Sequence, residues 1–191
     1  MKKKTSLLLF FSLIVLLCGC ATGSSRFYTL SAMAQATPGG GFPYAVSVGP
    51  VTVPSAVDRP QIVTRIGPNQ VRIDEFNRWA SPLKTDIAGI VAENLIRRLG
   101  SARVTTFPQT SAEGATYRVT IDVLSLESVP GESAAIDTLW TVRRIEDGRI
   151  RSGRTTAKEP AAGPGYEALV AAHSRALGRL SEDIVQALTA P

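Results

Sequence analysis

Two apolar stripes at helical spacing restrict the fold of this 191-residue chain more than any other feature. The first follows Ser81 and Pro82, which suit an N-cap and a first helical position, and it ends at Gly100. The second spans about residues 166–188, after a break at residues 163–165. The stripes consist of Leu83, Ile87, Ile90, Val91, Leu95 and Leu99, and of Tyr166, Leu169, Val170, Leu177, Leu180, Ile184 and Leu188. Each stripe requires a surface on which to be buried.

Strand patterns supply that surface. They cover residues 26–30, 44–53, 61–66, 70–76, 102–107, 117–126, 134–145 and 149–157. A bulge or edge position is expected at Gly49 and Pro50, hairpin turns at residues 67–69 and at Asp147 and Gly148, and a break near Leu124. The order predicts an α+β fold, a two-layer sandwich in which two main amphipathic helices cover one largely antiparallel or mixed sheet.

The first twenty residues resemble a lipoprotein signal peptide. Three lysines precede an apolar run at residues 7–17, which is too short to span a bilayer. The sequence Leu17-Cys18-Gly19-Cys20 then resembles the lipobox of bacterial lipoproteins. That resemblance implies cleavage after Gly19 and a diacylglyceryl thioether on Cys20, whereas bulky Leu17 makes Cys18 the weaker acceptor. The alternative is an ordinary cleaved signal peptide with a stray cysteine.

The leader also suggests a division of the chain. We expect a signal peptide at residues 1–19, an acylated N-terminus with a short strand and a flexible connection at 20–43, and the α+β domain at 44–191. The connection is predicted from the Ala, Gly and Pro content of residues 32–42. Ala21 stands where an Asp would favour retention in the inner membrane, so the enterobacterial sorting rule implies the outer membrane.

The charge balance excludes nucleic acid as an expected partner. The formal charge is +5, but three of the 21 basic residues lie in the leader, which leaves 18 basic and 16 acidic residues afterwards. The basic residues of the last predicted hairpin do not alternate with aromatic residues, as stacking on bases requires. They form either a solvated face or a contact for acidic headgroups or an acidic partner. They are Arg143, Arg144, Arg149, Arg151 and Arg154.

Catalytic and metal-binding motifs are not found in the sequence. His173 is the only histidine and lies on the second helical stripe, which favours a packed residue over a catalytic base. Asp74 and Glu75 are neighbours in a strand, so they point to opposite faces and are expected to be solvated. Asp122, Glu127, Asp137 and Glu146 lack metal-ligand spacing with His or Cys. We therefore expect no enzymatic activity, no metal and no cofactor beyond the acyl anchor on Cys20.

Four segments together resemble a known family. They are residues 57–65 (VDRPQIVTR), 76–83 (FNRWASPL), 27–30 (FYTL) and 48–51 (VGPV). The set is similar to the PqiC-like ABC-type transport auxiliary lipoproteins. The resemblance implies an outer-membrane lipoprotein that faces the periplasm and docks an MCE-domain protein of an inner-membrane-anchored system. Such systems are associated with phospholipid movement and envelope integrity, and the resemblance also implies contact with outer-membrane lipids and a possible homo-oligomer or ring.

Four residues of these segments are candidate partner contacts: Arg59, Arg65, Arg78 and Trp79. Arg and Trp are favoured anchors at protein interfaces. The structural alternative is that Trp79 packs the start of the first helix onto the core and that Pro60 shapes the start of a strand. Two other functions remain open, a structural lipoprotein of another envelope assembly machine and a periplasmic hydrolase that uses His173.

Overall fold

A computed structural model describes residues 23–35, 41–101, 103–108 and 114–190. Within these ranges the chain forms eight strands and two helices. The strands are β1 (Arg26–Tyr28), β2 (Val46–Thr52), β3 (Gln61–Gly67), β4 (Gln70–Trp79), β5 (Val104–Thr106), β6 (Tyr117–Val129), β7 (Ser133–Arg144) and β8 (Ile150–Pro160). The helices are α1 (Leu83–Leu99), between β4 and β5, and α2 (Tyr166–Thr189), after β8. The predicted signal peptide and the predicted acylation site, Cys20, lie outside the described residues.

The strands form two mixed sheets. A three-stranded sheet has the order β1-β4-β3, with β1 parallel and β3 antiparallel to β4. A five-stranded sheet has the order β5-β2-β6-β7-β8, with β2 parallel to both neighbours and the last three strands antiparallel. The α+β prediction is confirmed, but the expectation of one sheet is wrong. β2 lies between β5 and β6, and the β3–β4 hairpin pairs with β1 in a separate sheet.

Both helices follow the predicted stripes. Leu83, Ile87, Val91, Leu95 and Leu99 of α1 are buried, and Gly100 ends this helix in the left-handed conformation with φ 61°. The start differs from the prediction, because Pro82 occupies the N-cap position and no side chain caps the helix. The buried stripe of α2 includes Leu169, Val170, Leu177, Leu180, Ile184 and Leu188.

The core lies between these helices and one face of the five-stranded sheet. Helix α1 packs on β2 and β5, while α2 packs on β7, β8 and α1. Along β7 the inward residues Ile136, Trp140 and Val142 are buried, whereas Leu139 between them is exposed on the opposite face. The period-two alternation therefore assigns one face to the core and one to solvent.

The first part of the predicted flexible connection packs on the helices. Asn94 of α1 is fully buried, and its Oδ1 accepts hydrogen bonds from the backbone N–H groups of Met33 at 2.9 Å and Ala34 at 3.0 Å. The N–H of Ser31 donates to Oγ of Ser174 on α2 at 3.1 Å. The prediction of a flexible connection therefore needs correction at residues 31–35, which hydrogen bonds hold on the helices. Residues 36–40 lie outside the described residues.

Candidate functional site

The strongest candidate site is a groove between the β3–β4 hairpin and β6, which we call the docking groove. It encloses about 180 Å³. Pro54, Ala56, Val57, Val63, Arg65, Val71, Leu124, Ser125, Leu126, Glu127 and Ser128 line it. The lining is mainly apolar, with one ion pair at its rim. An apolar groove with a few polar groups is typical of a site that binds another molecule.

Strand register places apolar side chains on the groove face of the hairpin. Val63 pairs with Ile73 and Arg65 pairs with Val71, so these four residues share one face. The intervening residues of β3, Ile62 and Thr64, are buried on the other face. Val71 remains 55% exposed, although its β-branched side chain suits a covered surface. The hairpin therefore presents apolar surface that its own fold does not cover.

A bulge in β6 supplies the opposite wall. The β6–β7 register shifts between Val123 and Ser125, which leaves Leu124 as the extra residue. Bulges redirect side chains, and Leu124 is 47% exposed while Val123 and Leu126 on either side are buried. The predicted break near Leu124 is confirmed. Its role in forming a groove was not predicted, because the groove depends on the hairpin lying beside β6.

Arg65 closes the rim of the groove through an ion pair between the two sheets. Its Nη2 donates to Oε1 of Glu127 on β6 at 2.6 Å, and its Nη1 donates to the backbone oxygen of Pro68 at 2.8 Å. Both charged side chains of the pair remain partly exposed, so the pair contributes only modestly to stability. Its main effect is to hold the guanidinium group at the groove.

The other three candidate contacts lie elsewhere. Arg78 pairs with Gln61 in the β3–β4 register, and the N–H of Trp79 donates to the backbone oxygen of Pro60 at 2.7 Å. Gln61 is four residues before Arg65, or roughly 13 Å along the strand. The structure therefore separates Arg65 from the other three candidates.

Arg59 and Trp79 line a second cavity, of about 280 Å³, near the start of α1. Trp79 is only 5% exposed and packs its ring edge-on against His173, whereas Arg59 and Arg78 are half-buried. Trp79 thus has a packing role whatever else it contacts. Recognition of a partner by Arg59, Arg65, Arg78 and Trp79 stays a prediction.

His173 is a core residue, as the helical stripe predicted. Its ring is buried, and its Nε2 lies 2.8 Å from Oγ of Ser128. Burial lowers the pKa of His173 to about 4, which keeps the imidazole neutral near neutral pH. Nδ1 has no hydrogen-bond partner in the described part of the chain. A buried histidine without an orienting carboxylate does not form the relay that activates a serine nucleophile.

Asp74 differs from its predicted solvated state. Its Oδ1 accepts from the backbone N–H groups of Phe76 and Asn77, both at 2.9 Å, and its Oδ2 accepts from the hydroxyl of Tyr166 at 2.8 Å. Burial opposes ionisation of Asp74, but these hydrogen bonds outweigh it, so the pKa of Asp74 is lowered. Glu75 is exposed, as predicted. Asp74 therefore links β4 to the start of α2 through Tyr166.

The arginines of the β7–β8 hairpin are largely engaged with neighbours. Arg154 forms two hydrogen bonds with Asp137, and Arg144 pairs with Glu146 and Asp147. Arg151 donates to the backbone oxygens of Ala187 and Ala190 at the end of α2. These contacts favour the solvated and structural interpretation of the hairpin over a uniform positive patch.

The described ranges contain no group of three His, Cys, Asp or Glu side chains that could hold a metal ion. None of the helices described is both long and apolar enough to cross a membrane.

Comparisons with known proteins agree with this fold. The family model of the ABC-type transport auxiliary lipoprotein component matches residues 28–185. A Xanthomonas campestris protein of the DUF330 family is 20% identical, with 85% of this chain and 95% of that chain covered and a TM-score of 0.69. A second solved structure, of an uncharacterized protein, is 18% identical, with 87% and 100% covered and a TM-score of 0.72. The search of curated proteins found no match.

Proposed function

Because the chain belongs to the ABC-type transport auxiliary lipoprotein component family, we propose that it docks an MCE-domain protein at the outer membrane. In this role it is a non-enzymatic, periplasm-facing component of an intermembrane phospholipid-transport system that supports envelope integrity. The observation that carries the proposal is the match over residues 28–185, together with an uncovered apolar groove in that same region. An auxiliary subunit needs a contact surface for its partner rather than a catalytic site.

The proposed anchor is the acylated Cys20. A diacylglyceryl group plus an N-terminal acyl chain gives stable attachment, since one chain alone binds marginally. The described structure begins three residues later, at Gly23, and β1 follows at Arg26. The domain is thus connected closely to the proposed anchor, and its contact with outer-membrane lipids follows from that attachment.

The proposed protein contact is the docking groove. Its apolar walls, Val71 and Leu124, suit a hydrophobic segment of the MCE-domain protein, and the Arg65–Glu127 pair at the rim offers a guanidinium and a carboxylate for orientation. Interfaces of this kind combine an apolar centre with a polar rim. A homo-oligomeric ring is part of the proposal as the assembled form of the subunit.

In-cell photo-crosslinking tests the proposal. A photoreactive amino acid is placed at Val71 or Leu124, with Ile150 as the matched control, because Ile150 is an exposed apolar residue on β8, two strands from β6. We expect the two groove positions to capture an MCE-domain protein and the control not to do so. Mass spectrometry of the crosslinked bands identifies the partner.

Each outcome separates the proposed role from its alternatives. Capture of only barrel-assembly or cell-wall-linked proteins would assign the chain to another envelope machine. Capture of an MCE-domain protein equally at Ile150 would place the contact outside the groove. Self-crosslinks in the same experiment would support the ring, and their absence would contradict it.

A further inference from the structure

Two phenylalanine side chains are exposed where the chain enters the fold. Phe27 of β1 is 64% exposed and Phe76 of β4 is 49% exposed. They are neighbours across the strand pair, because Phe27 pairs with Arg78, two residues beyond Phe76. Exposing aromatic rings to water costs free energy. Two adjacent exposed rings therefore indicate a surface that contacts another molecule or a membrane.

The chain segment that leads to the proposed anchor passes over one of these rings. A Cβ added to Gly23 would lie 3.2 to 3.3 Å from three ring atoms of Phe76. Cys20 is three residues before Gly23, and a fully extended chain spans roughly 10 Å over that distance. If Cys20 is acylated, the bilayer surface must therefore lie within about that distance of Gly23. Phe76, which Gly23 contacts, and its neighbour Phe27 are then within reach of the membrane interface.

The residue beside the two rings, Arg78, has the chemistry of a lipid headgroup contact. It shares their face of the sheet, is half-buried and forms no ion pair with a described residue. Arginine binds phosphate oxygens through two parallel hydrogen bonds, and aromatic side chains concentrate at membrane interfaces. The carboxylate of Glu75 on β4 accepts a hydrogen bond from Gln61 on the other neighbouring strand.

We propose that Phe27, Phe76 and Arg78, which share one face of the sheet, form a membrane-contact patch that lies against the phospholipids of the bilayer holding the acylated Cys20. This inference rests on the proposed lipid anchor. The acyl chains supply the attachment, and the patch supplies the orientation. Val71 pairs with Arg65 and Arg78 pairs with Gln61, so the docking groove begins roughly 13 Å from this patch along β3.

Site-specific fluorescence tests the patch on the acylated protein itself. After cleavage following Gly19, Cys20 is the only cysteine, and acylation removes its thiol. Phe27→Cys and Phe76→Cys therefore create unique thiols for an environment-sensitive dye, and Leu139→Cys and Ile150→Cys are matched exposed controls on the five-stranded sheet. The acylated variants are reconstituted into vesicles of phosphatidylethanolamine and phosphatidylglycerol.

We expect blue-shifted emission and quenching by spin-labelled lipid at positions 27 and 76, and solvent-like emission at 139 and 150. The shift should persist when the protein is diluted below one copy per vesicle. Solvent-like emission at all four positions would overturn the proposal. A shift that disappears on dilution would also overturn it, because a second copy of the chain would then be the occupant.

A charge variant adds a second measurement. Arg78→Glu should reduce the blue shift at positions 27 and 76 severalfold, because the glutamate repels phosphate. An unchanged shift would contradict the headgroup contacts. Intact-protein mass spectrometry separates the two proposals. An unmodified Cys20 contradicts the anchor, whereas an acylated Cys20 with solvent-exposed dyes contradicts only the patch.

Discussion

The hydroxyl of Tyr166 donates a hydrogen bond of 2.8 Å to Oδ2 of Asp74. It joins the first turn of α2 to β4, and so connects the three-stranded sheet to a helix that otherwise covers the five-stranded sheet. Burial and the hydrogen bond to the negatively charged Asp74 raise the pKa of Tyr166 to about 12. The hydroxyl therefore keeps its proton, and the bond persists, throughout the neutral range.

Removing this bond should loosen the attachment of the hairpin. Tyr166→Phe leaves the carboxylate of Asp74 without its phenol donor and should lower the free energy of unfolding by about 1.5 kcal/mol. Urea unfolding followed by tryptophan fluorescence measures the change. Tyr44→Phe is the control. The Tyr44 ring packs on Phe42 and Tyr117, and its hydroxyl forms no hydrogen bond with a described residue. Equal losses in both variants would contradict the assigned role.

The buried His173 predicts a loss of stability in mild acid. Its pKa is about 4 in the fold and about 6.5 in the unfolded chain, so the unfolded chain binds the proton first as the pH falls. Stability from this group is complete above pH 6.5 and declines towards pH 4, by about 3 kcal/mol at most. Because the pKa of Asp74 is lowered, the stability that Asp74 contributes is lost at a lower pH than the stability from His173.

His173→Gln isolates the titration. The variant has a lower free energy of unfolding overall, but its slope against pH between 6.5 and 4.5 should be flatter than that of the unaltered chain. Urea unfolding at several pH values across this window measures both slopes. Identical slopes would show that other groups dominate the acid response.

Asn94 should contribute more than any other polar side chain to holding residues 31–35 on the helices. Asn94→Leu keeps the side-chain size but leaves the N–H groups of Met33 and Ala34 without their acceptor, at a cost of about 3 kcal/mol. Proteinase K cleavage near this segment should also accelerate. Gln186→Leu, at an exposed position of α2, should change stability by less than about 0.5 kcal/mol. Unchanged cleavage in the Asn94 variant would contradict this role.

Two glycine-to-alanine substitutions should change the free energy of unfolding in opposite directions. A Cβ at Gly153 would overlap the indole ring of Trp140 on the neighbouring strand, so Gly153→Ala should destabilise the protein by about 2 kcal/mol. A Cβ at Gly89 in α1 meets nothing within 4 Å, so Gly89→Ala should stabilise it by about 0.8 kcal/mol through helix propensity. Thermal unfolding measured side by side checks both signs, and a destabilised Gly89→Ala would contradict the local geometry.

Local patterns in the sequence determined most secondary structure. The apolar stripe before Gly100 predicted α1 and its end, because a left-handed C-cap favours glycine. The bulge at Gly49 and Pro50 appears as a register shift between Val48 and Val51. The burial of His173 followed from its place on a helical stripe. In each case the signal and the structure involve residues only a few positions apart.

Only the tertiary structure decided how these elements combine. The pairing of β5 and β6 with β2 divided the strands into two sheets, and no local pattern specifies which distant strands pair. The same arrangement made Asp74 a partner of Tyr166, 92 residues away, and brought Arg65 to Glu127, 62 residues away. The docking groove arose where the hairpin lies beside the bulge at Leu124. A sequence reveals which side chains need burial or a partner, but the partners are set by contacts between distant segments, whose free energies depend on the whole fold.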